Sequence, residues 1–580
     1  MFLPTNKKEM IEAGWDSVDI ILITGDAYVD HPSYGAAFIG RVLENAGFKV
    51  GIIAQPDLAS GDDISRLGEP RLFWGVTGGC IDSMVANYTA SGRKRKSDDY
   101  TPGNVNNRRP DRATIVYSNL IRTYFKKTRP IVLGGIEASL RRIAHYDFWS
   151  DTIRRSILFD AKADYLLYGM ADRSVVELAA CLKAGEDPRG IRGICYASPS
   201  IPEDCLELPT FESAAQDKAA FTEMFHLFYR NNDLMTALPL AQKQDNRYLI
   251  QTPPAYALSG RELDAVHDLN YERELHPYYR NQGKVKALDT ICFSIATHRG
   301  CYGECNFCAI TVHQGRKVTW RSRESILNEA RAFARDPRFK GVIQDVGGPT
   351  ANMYGIDCAR KEKQGCCPDK RCLFPKICPR LTTDHNQQIS LLKALRAVNG
   401  VKKVFIASGI RHDLVMADKK HGTEYLKQVI RHHVSGQLKL APEHSEAHVL
   451  QKMGKSGRET LLAFRKLFFE LTKRGEKNLF LTYYLISAHP GCTDDDMARL
   501  RSFALNDLQF LPEQVQVFTP APSTWSTLMY WTERDPFNGK PCFVEKTYRG
   551  RERQKEILAD RRTKKQQTDR SRTKKQGTHR

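Results

Sequence analysis

The chain has 580 residues, 41% of them hydrophobic and 27% charged, and no apolar run approaches the roughly 18 to 20 residues that a membrane-spanning helix needs. That argues against a membrane partner and against a small disulfide-stapled scaffold, and the length predicts about three or four domains. The net charge of +20, from 87 basic and 67 acidic residues, invites a nucleic-acid reading, but half of the excess lies between Lys546 and Arg580, where 14 Lys and Arg face 4 Asp and Glu.

The start, MFLPTNKKEMIEAGW, places Glu9 and Glu12 where a secretory segment would need apolar residues. A cytoplasmic protein is expected, and in a reducing compartment 15 cysteines speak for metal or thiol chemistry rather than a disulfide framework. Residues 1–198 alternate β-rich runs with helical patterns, the mark of a parallel α/β sheet. DIILIT reads as a first strand, AAFIGRVLENAG as a helix and FKVGIIA as the next strand, together a βαβ unit. A Rossmann-like N-terminal domain follows from this, with ligands expected beyond the carboxyl ends of its strands.

Residues 199–286, irregular and punctuated by Pro202, Pro209, Pro253 and Pro254, read as a connecting region. Residues 287–535 then carry six strand-like runs: DTICFSIAT, GVIQDV, KKVFIAS, GQLKLAP, NLFLTYYLI and EQVQVFTP. Between them lie amphipathic helical stretches such as SRESILNEARAFAR and GRETLLAFRKLFFELTKRG. Six βα units predict an α/β fold with a partial (β/α)6 TIM-type barrel, whose chemistry sits at the carboxyl ends of its strands. A cysteine-rich insertion occupies 356–380. Residues 536–580 read as a basic tail, repeating TKKQ at Thr563 and Thr573, with too little apolar surface to order itself.

Directly after the first barrel run comes HRGCYGECNFCAI, with Cys301, Cys305 and Cys308 in C-x3-C-x2-C spacing. Soft thiolates on one short loop suit an iron-sulfur cluster. Zinc is the rival, but a structural zinc site wants a fourth protein ligand, whereas three leave one metal position open for chemistry. After the second run, DVGGPT puts Gly347, Gly348 and Pro349 at a strand end, where glycines allow a ligand close to the backbone.

This spacing, with Phe307 just before Cys308, resembles the radical S-adenosylmethionine (SAM) superfamily. The resemblance implies that Cys301, Cys305 and Cys308 bind a 4Fe-4S cluster whose fourth iron is chelated by SAM. It also implies reductive cleavage to a 5′-deoxyadenosyl radical, with electrons from a one-electron reductant such as flavodoxin or ferredoxin. The Gly347–Gly348–Pro349 loop resembles the element that binds the SAM amino group, although Pro349 stands where a glutamate often follows the glycines. The stretches GDAYVDHPSYGAA, LGGIEASLRRIAHYDFWSD, VGGPTANMYG, KLAPEHSE, SAHPGCT and VQVFTPAPST together resemble the YgiQ family of radical SAM proteins. The substrate is not supplied by the resemblance.

The N-terminal domain is similar to cobalamin-binding domains attached to some radical SAM methyltransferases. The D-x-H-x-x-G signature is absent, however: Asp30 and His31 are adjacent, and Gly35 follows four residues after the histidine. A scaffold that caps the barrel is therefore expected, with cobalamin the alternative. Cys358, Cys366, Cys367, Cys372 and Cys378 form a second group, read as a metal-ligated loop holding an auxiliary cluster or zinc, against an exposed thiol-rich loop. His298, His444 and His489 lie near strand ends and are read as structural; Glu443, beside Pro442, suits a ribose hydroxyl or a surface role, and none of the four enters the predicted site. The competing function is a nucleic-acid-binding protein with a structural iron-sulfur or zinc site and a basic arm.

Overall fold

The computed structural model describes residues 1–473, 478–512 and 514–559. Strands Val50–Ala54, Ile20–Thr24, Phe73–Thr77, Ile131–Gly134 and Tyr165–Leu167 lie side by side in that order, all parallel. Ile20–Thr24 is buried at every position, as a strand covered on both faces must be, which is why it reads as an unbroken apolar run rather than an alternating one. The register Ile20↔Val50 through Thr24↔Ala54 closes the βαβ unit over helix Gly35–Asn45, which buries Ala37, Phe38, Val42 and Leu43.

The sheet does not stop at residue 198. Strand Ile194–Ser198 pairs antiparallel with Tyr165–Leu167, and Arg247–Gln251, Leu240–Gln244 and Leu206–Leu208 extend it to nine strands. The stretch 199–286, read from sequence as a connecting region, thus supplies three strands. It also supplies helix Lys218–Arg230, whose Phe221, Phe225 and Phe228 enter the same core as Ile21, Trp74 and Leu133. Its strands are short, and the prolines that made it look irregular all lie outside them.

Apart from the short antiparallel pair His298–Arg299 and Thr319–Trp320, six further strands follow in chain order: Ser294–Ala296, the broken strand Val342–Ile343 with Asp345–Gly347, Lys403–Val404, Gln437–Glu443, Phe480–Ser487 and Gln516–Val517. Each is linked in parallel to the next, the third and fourth through the Ile410↔Leu440 bridge. The first is shorter than its run suggests, because Leu288–Ile291 forms a helical turn. Helices Arg323–Arg335 and Arg458–Thr472 lay Ile326, Ala330 and Phe333, and Leu461, Phe464 and Phe468, onto the core beneath these strands.

The tail reading needs correction for its first part. Tyr548–Leu558 is a helix, capped by the Thr547 hydroxyl accepting from Gly550 N at 3.0 Å. Arg551, Gln554 and Leu558 form a buried stripe at helical spacing. Gln554 donates to Cys492 O and accepts from Ala488 N, both at 2.9 Å, and Leu558 is fully buried in the barrel core. Summed charge concealed this stripe. Residues 560–580, including both TKKQ repeats, lie outside the described residues. Among the described residues no helix is long and apolar enough to cross a membrane.

The two cores meet along a seam. Helix Trp525–Thr532, which follows the last barrel strand, puts Trp525, Leu528, Met529 and Tyr530 into the N-terminal core, and Ser523 Oγ donates to Leu140 O at 2.9 Å. Phe307 and Ile486 pack against both cores.

Leu558→Ala should cost about 2–5 kcal/mol, the usual range for emptying a buried leucine site, read as a lowered urea midpoint. Acid should act more widely. Burial lowers His145, His298, His313, His412 and His444 from 6.5 to about 4. The unfolded chain therefore binds more protons between these values, and stability should fall as pH drops from 6.5 toward 4. A urea midpoint independent of pH across that window would contradict the burial of these rings.

Candidate functional site

The loop from Gly300 to Cys308 connects the short strand His298–Arg299 to helix Ile310–His313. Its geometry brings sulfur atoms together at Gly303, where a Cβ would meet Cys301 Sγ at 3.2 Å, Arg411 Nη1 at 3.4 Å and Cys305 Sγ at 3.6 Å. Gly303 N also donates to Cys301 Sγ at 3.3 Å. Only a glycine leaves that concavity open. Cys308 N bonds Cys305 O at 3.0 Å, so the third cysteine closes the same turn.

Cys301 and Cys308 resist ionisation where they stand. Burial, then the neighbouring Cys305, raises Cys301, and the same causes push Cys308 up to about 12. A thiol so placed becomes a thiolate when a metal takes the proton's position. Cys301 and Cys305 turn their sulfurs toward one concavity, with half-buried Cys308 as their neighbour, and thiolates of this kind are donors for iron or zinc.

The loop is held from several directions. Glu304 Oε1 accepts from Arg316 Nη1 at 3.3 Å and Tyr229 Oη at 3.4 Å, and Glu304 O accepts from Arg371 Nη1 at 3.3 Å. Asn306 bonds Met453 O and Lys452 O and accepts from Ser526 N. Arg371 comes from the cysteine-rich insertion, as does Lys361, which donates to Arg316 O at 2.7 Å and lies over the Tyr302 ring. The insertion therefore packs onto the cysteine loop. Within it, Cys367 Sγ accepts from Arg360 at 3.0 Å, Cys366 N bonds the Asp233 carboxylate, and Lys361 lies beside Cys366 and Cys372. Cys358, Cys372 and Cys378 share a small core with Tyr302 and Met353. Among the described residues, groups of three or more side chains with metal-ligand atoms within 4.8 Å of one another include neither these five cysteines nor Cys301, Cys305 and Cys308.

Gly347, Gly348 and Pro349 fall at the end of strand Asp345–Gly347. Thr297 N takes Gly347 O at 2.7 Å, and Thr350 Oγ1 lies 3.7 Å from Cys301 Sγ, so this loop adjoins the cysteines. His298 supports it from below: a Cβ on Gly348 would stand 2.6 Å from His298 Nε2. That nitrogen is buried without a hydrogen-bond partner among the described residues, while Nδ1 lies 2.8 Å from Thr297 Oγ1.

A buried charge network borders the sulfurs. Arg411 Nη1 reaches Cys305 Sγ at 3.7 Å while its Nε and Nη2 grip both carboxylate oxygens of Asp413. Burial pushes Asp413 up, but Arg411 more than offsets it and holds the carboxyl below its ordinary range. Lys455 Nζ stands 3.5 Å from Glu443 Oε1, and burial raises Glu443 despite that partner. Glu443 ends strand Gln437–Glu443 at φ +70° after a register shift, a strained placement for a glutamate. His444 Nε2 lies 3.5 Å from Cys492 Sγ, and His489 contacts Ser526 Oγ at 2.7 Å and Pro490 O at 2.9 Å. Sequence reasoning set Glu443 aside and missed Arg411, Asp413 and Lys455. The signal for Glu443 and Arg411 was their place after strand runs; Lys455 arrives from a loop beyond helix Ala447–Met453, which no linear pattern marks.

In the N-terminal domain the strand order reverses between Ile20–Thr24 and Phe73–Thr77, the place where open sheets of this order take ligands. Here the chain fills it. A Cβ on Gly25 would meet Gly78 O at 2.3 Å. Arg109, 3% exposed, spans the gap to Asp26 at 2.6 Å and Asp98 at 3.2 Å.

A family profile described as Radical SAM N-terminal matches residues 2–294. A UPF0313 protein of Fusobacterium nucleatum is 54% identical over 562 residues, covering 97% of this chain and 99% of its own. The chain belongs to the UPF0313 family of radical SAM enzymes. A UPF0313 protein of Thermotoga maritima is 49% identical over 559 residues, 96% of this chain and 98% of that one. Among solved structures, the cobalamin-dependent S-adenosylmethionine radical enzyme OxsB with aqua-cobalamin bound aligns with a TM-score of 0.50 at 12% identity. The alignment covers 92% of this chain and 57% of OxsB, a likeness of fold. The family match runs unbroken through residues 199–286, in keeping with the strands that segment adds to the sheet.

Gly348→Ala should displace the loop against the His298 ring and weaken SAM binding about tenfold or more, in proportion to lost backbone contacts, while iron content stays at the wild-type level. Equilibrium binding of SAM to oxygen-free protein, beside iron quantitation, checks both halves.

Proposed function

We propose that Cys301, Cys305 and Cys308 hold a 4Fe-4S cluster and that the enzyme uses it to cleave SAM reductively, acting on an unidentified substrate. The observation that carries this reading is the concavity at Gly303, where Cys301 Sγ, Cys305 Sγ and Arg411 converge on space that one added methyl would fill. Three cysteines leave one iron position without a protein ligand, and that vacancy suits a chelating cosubstrate. When bound, the cluster would supply one electron to the sulfonium of SAM, giving methionine and a 5′-deoxyadenosyl radical.

The chain's own residues position that cosubstrate. The Gly347–Gly348–Pro349 loop offers backbone rather than a glutamate to the amino group, and its seat on His298 fixes how close it comes. Lys455 and Glu443 present opposite charges beside the sulfurs, suited to the carboxylate and the ribose hydroxyls of SAM respectively, while Arg411, braced by Asp413, sets the field at Cys305. Phe307, packed by both cores, keeps water from the concavity. The partial (β/α)6 barrel assigned to 287–535 and the Rossmann-like domain ahead of it supply the two walls. The reductant is of flavodoxin or ferredoxin type.

Cobalamin does not fit. The crevice it would enter is taken by Arg109, Asp26 and Asp98 and by the close approach of Gly25 to Gly78. The N-terminal domain acts as the scaffold that caps the barrel. The nucleic-acid reading loses part of its footing, because Lys546 pairs with Glu533 and Arg553 with Asp494 around the docked helix.

Oxygen-free, iron-loaded protein given dithionite and SAM should release 5′-deoxyadenosine, and Cys305→Ala should release none above background. Equal release by both proteins would refute the assignment of the cysteines.

A further inference from the structure

Beyond the carboxyl end of strand Tyr165–Leu167, where the N-terminal sheet faces the segment that follows Cys308, lies a cavity of about 70 Å³. At roughly 10–15 Å³ per water position it has room for about five waters or a molecule of a few heavy atoms. Its wall is tied to the cysteine loop: Gln314 Oε1 accepts from Gly300 N at 3.1 Å, and Gly315 O accepts from Cys301 N at 3.4 Å. Nothing in the SAM-cleaving arrangement uses this space.

Two polar atoms on its lining residues lack partners. Asp172 is 4% exposed; its Oδ2 takes Arg299 Nη1 at 2.7 Å, but its Oδ1 is buried with no hydrogen-bond partner among the described residues. Thr319 Oγ1 is in the same condition. A carboxylate oxygen can only accept, so what satisfies it must bring a donor. Orphaned groups at a cavity wall are the mark of an occupant.

The surroundings are cationic. Arg173, Arg299 and Lys317 line the cavity, paired with Glu262, Asp172 and Glu362. Behind the wall stand two more arginines with no carboxylate partner among the described residues. Arg142, fully buried, donates to Ser139 O, Gln251 Oε1 and Asn232 Oδ1 and lies between the Tyr168 and Phe228 rings at 4.4 and 4.5 Å. Arg192 donates to Pro254 O and Leu234 O and lies over Tyr256. His313, on the lining, contacts Ser139 Oγ at 3.1 Å, and burial lowers it to about 4, so it adds no charge at neutral pH. Five cations thus face three carboxylates around one small space.

We propose that this cavity binds a small organic anion that also carries a hydroxyl, its anionic end toward Arg173 and Lys317 and its hydroxyl donating to Asp172 Oδ1. The anion answers the surplus positive charge, and the hydroxyl answers the two orphaned atoms; neither group alone does both. Because Gln314 and Gly315 bond the backbone at Gly300 and Cys301, an occupant here bears on the cysteine loop itself. The proposal stands apart from the radical chemistry, since binding is measured without SAM.

The test is calorimetric titration of oxygen-free full-length protein with glycerate and with glycerol 3-phosphate. Propionate serves as an anion without a hydroxyl, and glycerol as the hydroxyl compound without charge. Saturable binding of glycerate or glycerol 3-phosphate is expected, at least about tenfold tighter than either control, the scale of one charge-assisted hydrogen bond. Preference between the two distinguishes a carboxylate from a phosphate ligand. Thr319→Val and Arg173→Gln should each weaken binding about tenfold, with unchanged far-ultraviolet circular dichroism showing that the fold persists. Arg173 lies at the rim, so its variant serves if Thr319→Val does not fold. No saturable binding of either hydroxy anion, propionate binding as tightly as glycerate, or affinities untouched by the substitutions would overturn the proposal.

Discussion

The constraint on which the structure turns is that a loop of nine residues must hold mutually repelling sulfur atoms side by side and leave space next to them. Burial and like-charged neighbours both work against three thiolates, so the loop cannot hold its own shape. Bonds from elsewhere hold it: Arg316 and Tyr229 on the Glu304 carboxylate, Arg371 on its carbonyl, Met453, Lys452 and Ser526 on Asn306. These partners come from the N-terminal half, from the cysteine-rich insertion and from the last third of the barrel. The whole chain is organised around fixing one turn.

How legible this was depends on range along the sequence. The cysteine spacing was readable because its members lie within eight positions and no ordinary structural role asks for that pattern. The strand Ile20–Thr24 was readable because two-sided burial writes an apolar run into the sequence, and Gln437–Glu443 because its buried Leu438 and Leu440 alternate with more exposed residues. Arg411 was not: it meets Cys305 from 106 positions away, and only the tertiary fold brings them together. The short strand Leu206–Leu208, at the edge of the sheet, draws its stability from neighbours rather than from its own residues, so a reading by local pattern passed over it. The helix Tyr548–Leu558 was missed for another reason. Its buried stripe includes Arg551, which lies over the Phe148 and Tyr548 rings, and Gln554, whose amide is bonded at both ends, so polar residues serve this core beside the apolar ones.

The N-terminal domain illustrates how little a fold says about its ligand. Its strand order supplies the crevice that nucleotides and corrinoids use in other proteins, yet Arg109 and its two aspartates turn that crevice into interior. Removing the arginine would leave two carboxylates facing each other in the dark of the core, which is why such a plug resists being displaced by a guest. The cysteine-rich insertion, read from sequence as a metal-ligated loop, also braces the site: Arg371 reaches the Glu304 carbonyl and Lys361 the Arg316 carbonyl.

Phe307 sits next to Cys308 in the chain and is gripped by apolar side chains from both halves of the molecule. Any breathing motion that parted the halves would strip that ring of its contacts and tug on the adjacent sulfur ligand. With the proposed cluster in place, a gap at the seam would widen the path of dioxygen to the iron. Tolerance of air and stiffness between the halves are therefore linked in this fold, through Phe307 together with Ile486.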